Sequence, residues 1–357
     1  MAAYTPIDDS SAHFQAETYS GPASWVGPTN ITFSGNSDLQ PDMLWIKRRN
    51  AAYSHNLFDT NRGIAKLLEP DNGSVENTNQ TWISGVLSNG FTLGVNEHNL
   101  SNSAGTYVAW AWKMNGGTTS TNSDGDIDTT VQVNSDAGMS IVTYSPPNDT
   151  ARTIGHGLGA VPKLIIIRAR NRAENWHWFH YSSGTGGWAG DTANAHNDNA
   201  VLGDALPTSS VYKLGTDWRM NGAYNYVGYF FADVQGFSKF GSYYGNGQHD
   251  GAFVYTGFKP AMVIVKQEDS TEPWLMYDSA RNPYNPTDKK LGQHASAAEN
   301  AVGGGGDENY NQIDILSNGF KCRSNSGAAN GNGIKIVYAA WAENPFVSSG
   351  GVAGTAK

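Results

Sequence analysis

Pro41-Asp-Met-Leu-Trp-Ile-Lys47, Pro162-Lys-Leu-Ile-Ile-Ile-Arg168 and Pro260-Ala-Met-Val-Ile-Val-Lys266 are three readings of one pattern. Each is a proline, a short apolar run and a cation at a fixed offset. Proline at the first residue of a strand breaks no ladder bond. A near-continuous apolar run predicts a strand covered on both faces.

The likeness extends outward from these anchors. Phe58-Asp59 and Tyr277-Asp278 stand at equal distance from their prolines, and Arg62 and Arg281 follow them. The second copy has Phe179-His180 there and lacks the arginine. Leu87-Ser-Asn-Gly-Phe91 and Leu316-Ser-Asn-Gly-Phe320 are identical, and Asn-Gly predicts a tight turn between strands. Each copy closes on an aromatic strand: Tyr107-Val-Ala-Trp-Ala-Trp112, Tyr226-Val-Gly-Tyr-Phe-Phe231 and Ile336-Val-Tyr-Ala-Ala-Trp341. Val108, Trp110 and Trp112 share one face, Ala109 and Ala111 the other, as in a strand that packs one sheet closely on another.

The pattern predicts an all-β chain of tandem β-sandwich units, jelly-roll or lectin-like, in three divergent copies. Their separations are domain-sized and unequal, unlike the short fixed period of a solenoid. The expected bounds are a first unit with an N-terminal arm (1–117), a polar linker (118–136), a second unit (137–235), a third packed on the second (236–346) and a flexible tail (347–357). The linker's Gly, Ser, Thr and Asn predict a loosely attached first unit. Residues 294–301 are the best candidate for a short helix.

Composition narrows the function. The chain has 357 residues and a net charge of −9, from 23 basic and 32 acidic residues. A phosphate-backbone binder needs clustered cations, and the densest run here is only Lys47-Arg48-Arg49, so no nucleic-acid partner is expected. With one cysteine, Cys322, no intrachain disulfide can form, and Cys322 is expected in the core. The first residues carry neither a basic segment nor an apolar one, and no apolar run approaches a membrane span. The expectation is a protein made in a bacterial cytoplasm without a signal peptide or membrane span.

Motifs for catalysis are sparse. Ser210-Val-Tyr-Lys213 has Ser-x-x-Lys spacing but lies in a strand-like stretch without partner motifs. Gly303 to Gly306 lacks the Lys-Ser/Thr of a phosphate loop. His177 and His180, three apart on a strand, fall on opposite faces, and His156 sits between glycines in a turn. Asp124, Asp126 and Asp128 alternate beside a glycine as in part of a calcium loop, without its closing bidentate Glu. Asp59–Arg62 and Asp278–Arg281 read as structural ion pairs at strand ends. A catalytic site would not need duplicating in two of three copies. No catalytic or cofactor-binding residue, and no cofactor, is expected. Loops 182–199, with Trp188, and 281–312 are candidate ligand surfaces, because aromatic faces suit sugars.

Tyr4-Thr-Pro-Ile-Asp-Asp9, Leu39 to Lys47, Leu57-Phe-Asp-Thr-Asn-Arg-Gly63, Tyr107 to Lys113, Gly155-His-Gly-Leu-Gly159, Gly236 to Tyr243 and Ala342-Glu-Asn-Pro-Phe346 stand in this order along the chain. Together these segments resemble a family of structural proteins from marine and cyanobacterial bacteriophages. The resemblance spans nearly the whole chain and implies a virion component, with no site residues to carry over. The expected role is a non-enzymatic surface protein of the particle, a tail-fibre or host-attachment component. The alternatives are a capsid decoration, head-knob or spike protein and, behind these, a glycan-degrading tail protein. Expected partners are other virion proteins, further copies of the chain (a trimer by analogy) and a host surface glycan.

Overall fold

The computed structural model describes residues 4–24, 27–78, 81–94, 97, 99–197, 205–302, 312–325, 327–348, 350–351 and 353–354. Antiparallel sheets dominate it, and one strand order recurs. In the first large sheet Phe14–Ser20, Thr106–Trp112, Met43–Arg48 and Asn56–Asp59 are successive neighbours. In the second, Met139–Tyr144, Tyr226–Ala232, Pro162–Ala169 and His177–His180 follow the same order. In the third it is Ser238–Tyr244, Lys335–Pro345, Phe258–Gln267 and Leu275–Asp278. Each anchor strand, which contains its proline in the second and third sandwiches and follows Pro41 in the first, thus lies between the closing aromatic strand and the short strand that ends in Asp59, His180 or Asp278.

A smaller sheet covers one face of each large one. It is built from Thr29–Ile31, Gly90–Leu93 and Ile83–Leu87 in the first sandwich. The second uses Arg152–Gly155 and Val211–Leu214, and the third Phe253–Tyr255, Gly319–Cys322 and Ile313–Leu316. The Asn-Gly turns form, but one residue earlier than the dipeptide suggests. Leu87 pairs with Gly90 and Leu316 with Gly319, so Ser and Asn hold the corner and glycine begins the next strand. A Cβ on Gly90 would lie 2.0 Å from the Ile31 carbonyl oxygen, and one on Gly319 2.0 Å from that of Val254. The glycine permits this close approach of a neighbouring strand.

The alternation of large and small residues has a different consequence from the one expected. Ala109 and Ala111 face the first sandwich's own core, with Leu44, Ile46, Phe58 and Phe91. Val108, Trp110 and Trp112 face away from it, into a core shared with the other two sandwiches. Val227, Tyr229 and Phe231 do likewise, while Phe230 and Ala232 serve the second sandwich's own core. The large sheets are therefore buried on both faces, which is why the anchor strands carry almost no polar residues.

The shared core is organised around three aromatics at equivalent positions. The ring centroids of Trp112 and Trp341 are 5.4 Å apart, those of Phe231 and Trp341 5.4 Å, and those of Trp112 and Phe231 6.4 Å. Backbone contacts repeat around them. Glu76 N–H donates to Arg170 O at 2.8 Å, His196 N–H to Glu268 O at 2.7 Å, and Glu299 N–H to Arg49 O at 2.7 Å. These bonds join second to first, third to second and first to third, so the head-to-tail contact closes into a ring.

Three expectations change. The first sandwich is not loosely attached, because the ring buries it against both others. The segment expected as a polar linker instead holds strands Ser120–Asn122 and Thr129–Asn134, and the latter pairs with Met139–Tyr144. Residues 294–301 form turns. Among the described residues the α-helix is the single turn Gly327–Asn330.

Candidate functional site

The recurring Asp–Arg pairs lie at the boundaries between sandwiches. Asp59 ends its strand and accepts from both Arg62 N–H and Arg62 Nε, with both side chains fully buried. Arg62 then reaches Glu76 at 2.7 Å, and Glu76 binds Arg170 of the second sandwich at 2.9 Å. Tyr229, also of the second sandwich, donates its hydroxyl to Asp59 Oδ2 at 2.7 Å. The third sandwich repeats this against the first. Asp278 binds Arg281, Arg281 binds Glu299 at 3.1 Å, Glu299 binds Arg49 at 3.0 Å, and Trp110 Nε1 donates to Asp278 Oδ2 at 3.1 Å.

Burial alone would push the Arg62 guanidinium down, but Asp59, Tyr229 and Glu76 raise it above its ordinary value. Burial likewise opposes the Glu76 carboxylate, yet Arg170 and Arg62 hold it below the usual range. Each network satisfies its buried charges internally, the condition under which such charges are tolerated.

The third boundary uses other chemistry. Ala339 stands where Trp110 and Tyr229 stand in the other closing strands, so no side-chain donor is available there. His180 replaces the aspartate. Its Nε2–H donates to Tyr338 O at 3.0 Å while Nδ1 accepts from Ser182 N–H at 3.2 Å. Burial pushes this imidazole down to about 4, so it is neutral at pH 7. The two changes complement each other: a donor is lost on one side of the boundary, and the acceptor opposite becomes a donor.

The repeated cations are also internal. Lys47, Arg168 and Lys266 are fully buried. Lys47 Nζ donates to Arg48 O at 2.6 Å and Lys266 Nζ to Ser270 O at 2.7 Å. Arg168 reaches across to Gly73 O at 2.6 Å and Ser74 O at 2.7 Å of the first sandwich. Burial lowers Lys47 and Lys266 to about 8 and Arg168 to about 10. In the Lys47-Arg48-Arg49 run, Arg48 stacks on Tyr53 and Arg49 pairs with Glu299.

The other candidates separate. Trp188 is fully buried, edge-on to His196 and Trp274, so it offers no surface contact. Asp126 Oδ2 accepts from Thr153 N–H and Oγ1 at 2.8 and 2.9 Å, and Asp124 Oδ2 from Asn122 Nδ2 at 2.8 Å. The two carboxylates thus pin the chain locally. Among the described residues no group of three or more His, Cys, Asp or Glu is placed to hold a metal ion, and Asp128 joins none. His177 lies beside Tyr212 in the second sandwich's own core, on the face opposite His180. His156 is buried in its turn, with Nε2 against Thr208 O. Ser210 lies in a turn before the strand holding Lys213 and donates its N–H to Thr208 Oγ1 at 3.2 Å. Cys322 is buried. Gly303 to Gly306 and the end of loop 182–199 lie outside the described residues, and among those described no helix is long and apolar enough to cross a membrane.

Trp218 is a surface aromatic that the sequence reading missed. Its side chain is half exposed, and the Arg172 guanidinium sits 3.8 Å from the ring centroid. Arg172 Nη1 donates to Tyr224 Oη at 2.6 Å, and Tyr226 Oη to Trp218 O at 2.7 Å. A bidentate Arg219–Asp217 pair flanks it. The available signal was Gly215-Thr-Asp-Trp-Arg219, a turn-forming context that breaks strand alternation around a tryptophan.

The fold and these boundaries define a class: an all-β protein in which β-sandwiches are tied into a closed ring by buried polar networks. Residues 9–345 match the family described as Domain of unknown function (DUF7483), and the chain belongs to that family. No curated protein and no solved structure matches the chain.

Proposed function

We propose that this chain is a non-enzymatic structural protein of a bacteriophage virion, carried on the particle surface as a tail-fibre or host-attachment component. We read its sandwiches as three divergent copies of one unit. The observation carrying the proposal is the mutual contact of Trp112, Phe231 and Trp341, one aromatic from each sandwich, within a single chain. Such a chain suits a docking position of threefold symmetry without itself needing to trimerise. The resemblance to phage structural proteins supports the same reading. Trp218, steadied by Arg172, supplies a flat aromatic surface for a host glycan.

The same ring suits a capsid decoration or head-knob protein, which needs a docking face more than a ligand site. Counting copies per purified particle by quantitative mass spectrometry, with immunogold labelling, separates the two. A few copies at the tail support attachment, and a number scaling with the major capsid protein overturns it in favour of decoration. Release of oligosaccharide from host polysaccharide by the purified protein would overturn the non-enzymatic reading.

A further inference from the structure

The outer edge of the large sheet meets three different fates around the ring. In the second sandwich, Met139–Tyr144 is paired along that edge by Thr129–Asn134, with Ile141 opposite Gln132 and Thr143 opposite Thr130. The added strand fills the boundary with the first sandwich. Gln132 bonds Thr60 at 2.9 Å and Asn61 Nδ2 donates to Thr130 O at 3.3 Å. In the third sandwich the edge is Ser238–Tyr244. The Asp233 side chain takes the Phe240 N–H at 2.8 Å, and the 3-10 turn Tyr181–Ser183 packs against the strand.

Among the described residues, no strand pairs with the outer side of the first sandwich's edge, Phe14–Ser20, and no turn blocks it. Bonds from Lys113 N–H to His13 O and from Gly21 N–H to Gly105 O fix the register. That register turns the peptide groups of Phe14, Ala16, Thr18 and Ser20 away from Thr106–Trp112. Among the described residues the Thr18 N–H is met only by the adjacent Glu17 carboxylate, at 3.2 Å. Ala16 N–H has no partner among the described residues. Along this edge runs a cleft of about 440 Å³, its far wall formed by Lys259, Ser279 and Ala280 of the third sandwich. Ser279 and Ala280 hold the positions of Thr60 and Asn61, which contact the inserted strand at the filled boundary.

We infer that this cleft is a strand-acceptor site. Its occupant is an extended segment of another polypeptide, uncharged with alternating β-branched and amide side chains like Thr129–Asn134, which adds antiparallel to Phe14–Ser20. An unpaired edge is a template for such addition, and main-chain bonds to it supply affinity. Within this molecule the equivalent groove already holds such a strand. The inference is independent of where on a particle the protein sits.

A synthetic peptide with the sequence of residues 129–135, which carries no charged side chain, is the probe, capped at both ends, added to the full chain and followed by amide hydrogen exchange. Saturable binding with at least tenfold slower exchange at Ala16 supports the site, and absence of protection at millimolar peptide overturns it. Ala16→Pro removes the outward N–H without touching the Thr106–Trp112 ladder, and Ala280→Trp fills the cleft from the opposite wall. Both should lose the peptide at least tenfold. If Ala16→Pro fails to fold, Ala280→Trp decides alone, and binding undiminished in the folded variants overturns the inference. Dimers of the chain that Ala280→Trp dissolves would overturn the assignment to a foreign strand.

Discussion

Trp112 and Trp341 meet edge to face at the centre of the molecule, with ring centroids 5.4 Å apart, although each closes a different sandwich. Both are almost fully buried, and Phe231 completes the contact from the second sandwich. The ring contact thus rests on aromatics that belong to no single sandwich's own core.

Replacing Trp341 with alanine should therefore weaken the whole chain. Emptying a buried aromatic site costs about 3–5 kcal/mol. Denaturant unfolding should show the loss, with fluorescence from the first and second sandwiches shifting together. An unchanged first-sandwich transition would contradict a shared core.

Asp59 should matter more than its partner Tyr229. Asp59→Ala leaves a fully buried Arg62 with Glu76 as its one remaining carboxylate, and breaking a buried pair costs up to about 3–5 kcal/mol. Tyr229→Phe removes a hydrogen bond to a charged group, with an expected loss of about 1.5–3 kcal/mol. A double-mutant cycle from urea midpoints should find the two coupled, because they share one network. Strict additivity would refute the network.

Stability should fall in mild acid. Burial pushes His156 to about 4, His177 to about 3 and His180 to about 4, and drives His55 well below its ordinary value of 6.5. Between 6.5 and these values the unfolded chain binds protons that the native chain does not, so stability declines as pH drops through that window. Asp71 works the other way. Burial raises it to about 7, so the native chain takes up a proton there first and gains relative stability as pH falls. The histidines outnumber it, and the melting temperature should drop from pH 6.5 towards 4. His180→Gln should flatten the slope, whereas a slope identical to wild type would exclude His180 from it.

Trp218→Ala should leave folding nearly untouched, within about 0.5 kcal/mol for a surface position. If the loop reads a glycan, the variant should lose adsorption to host cells or binding on a glycan array while its melting temperature holds. Undiminished binding would remove Trp218 from the proposed contact.

The anchor prolines, the apolar runs after them and the aromatic closing strands made those strands themselves legible in the sequence, because both-face burial leaves a local mark, whereas their order in the sheets came only from the structure. The Asp–Arg pairs were legible as ion pairs for the same reason: three residues separate the partners, and one turn brings them together. Their extension to Glu76, Arg170, Glu299 and Arg49 was not, since those partners come from other sandwiches and no local spacing encodes them. Trp188 shows the converse. Its Gly-rich loop reads as surface, yet Trp274 of the third sandwich covers it.

Sequence by itself determined that the chain is all-β, where its apolar anchor and closing strands lie and which of the closing strands' faces are large, because alternation and turn chemistry act between near neighbours. Tertiary structure alone decided that the large faces meet one another and not their own small sheets. It also decided that His180 stands in for an aspartate, and that Thr129–Asn134 fills one boundary while no described strand pairs with the matching edge at Ala16. Those outcomes depend on closing a ring of three, in which each boundary is made by residues far apart in the chain.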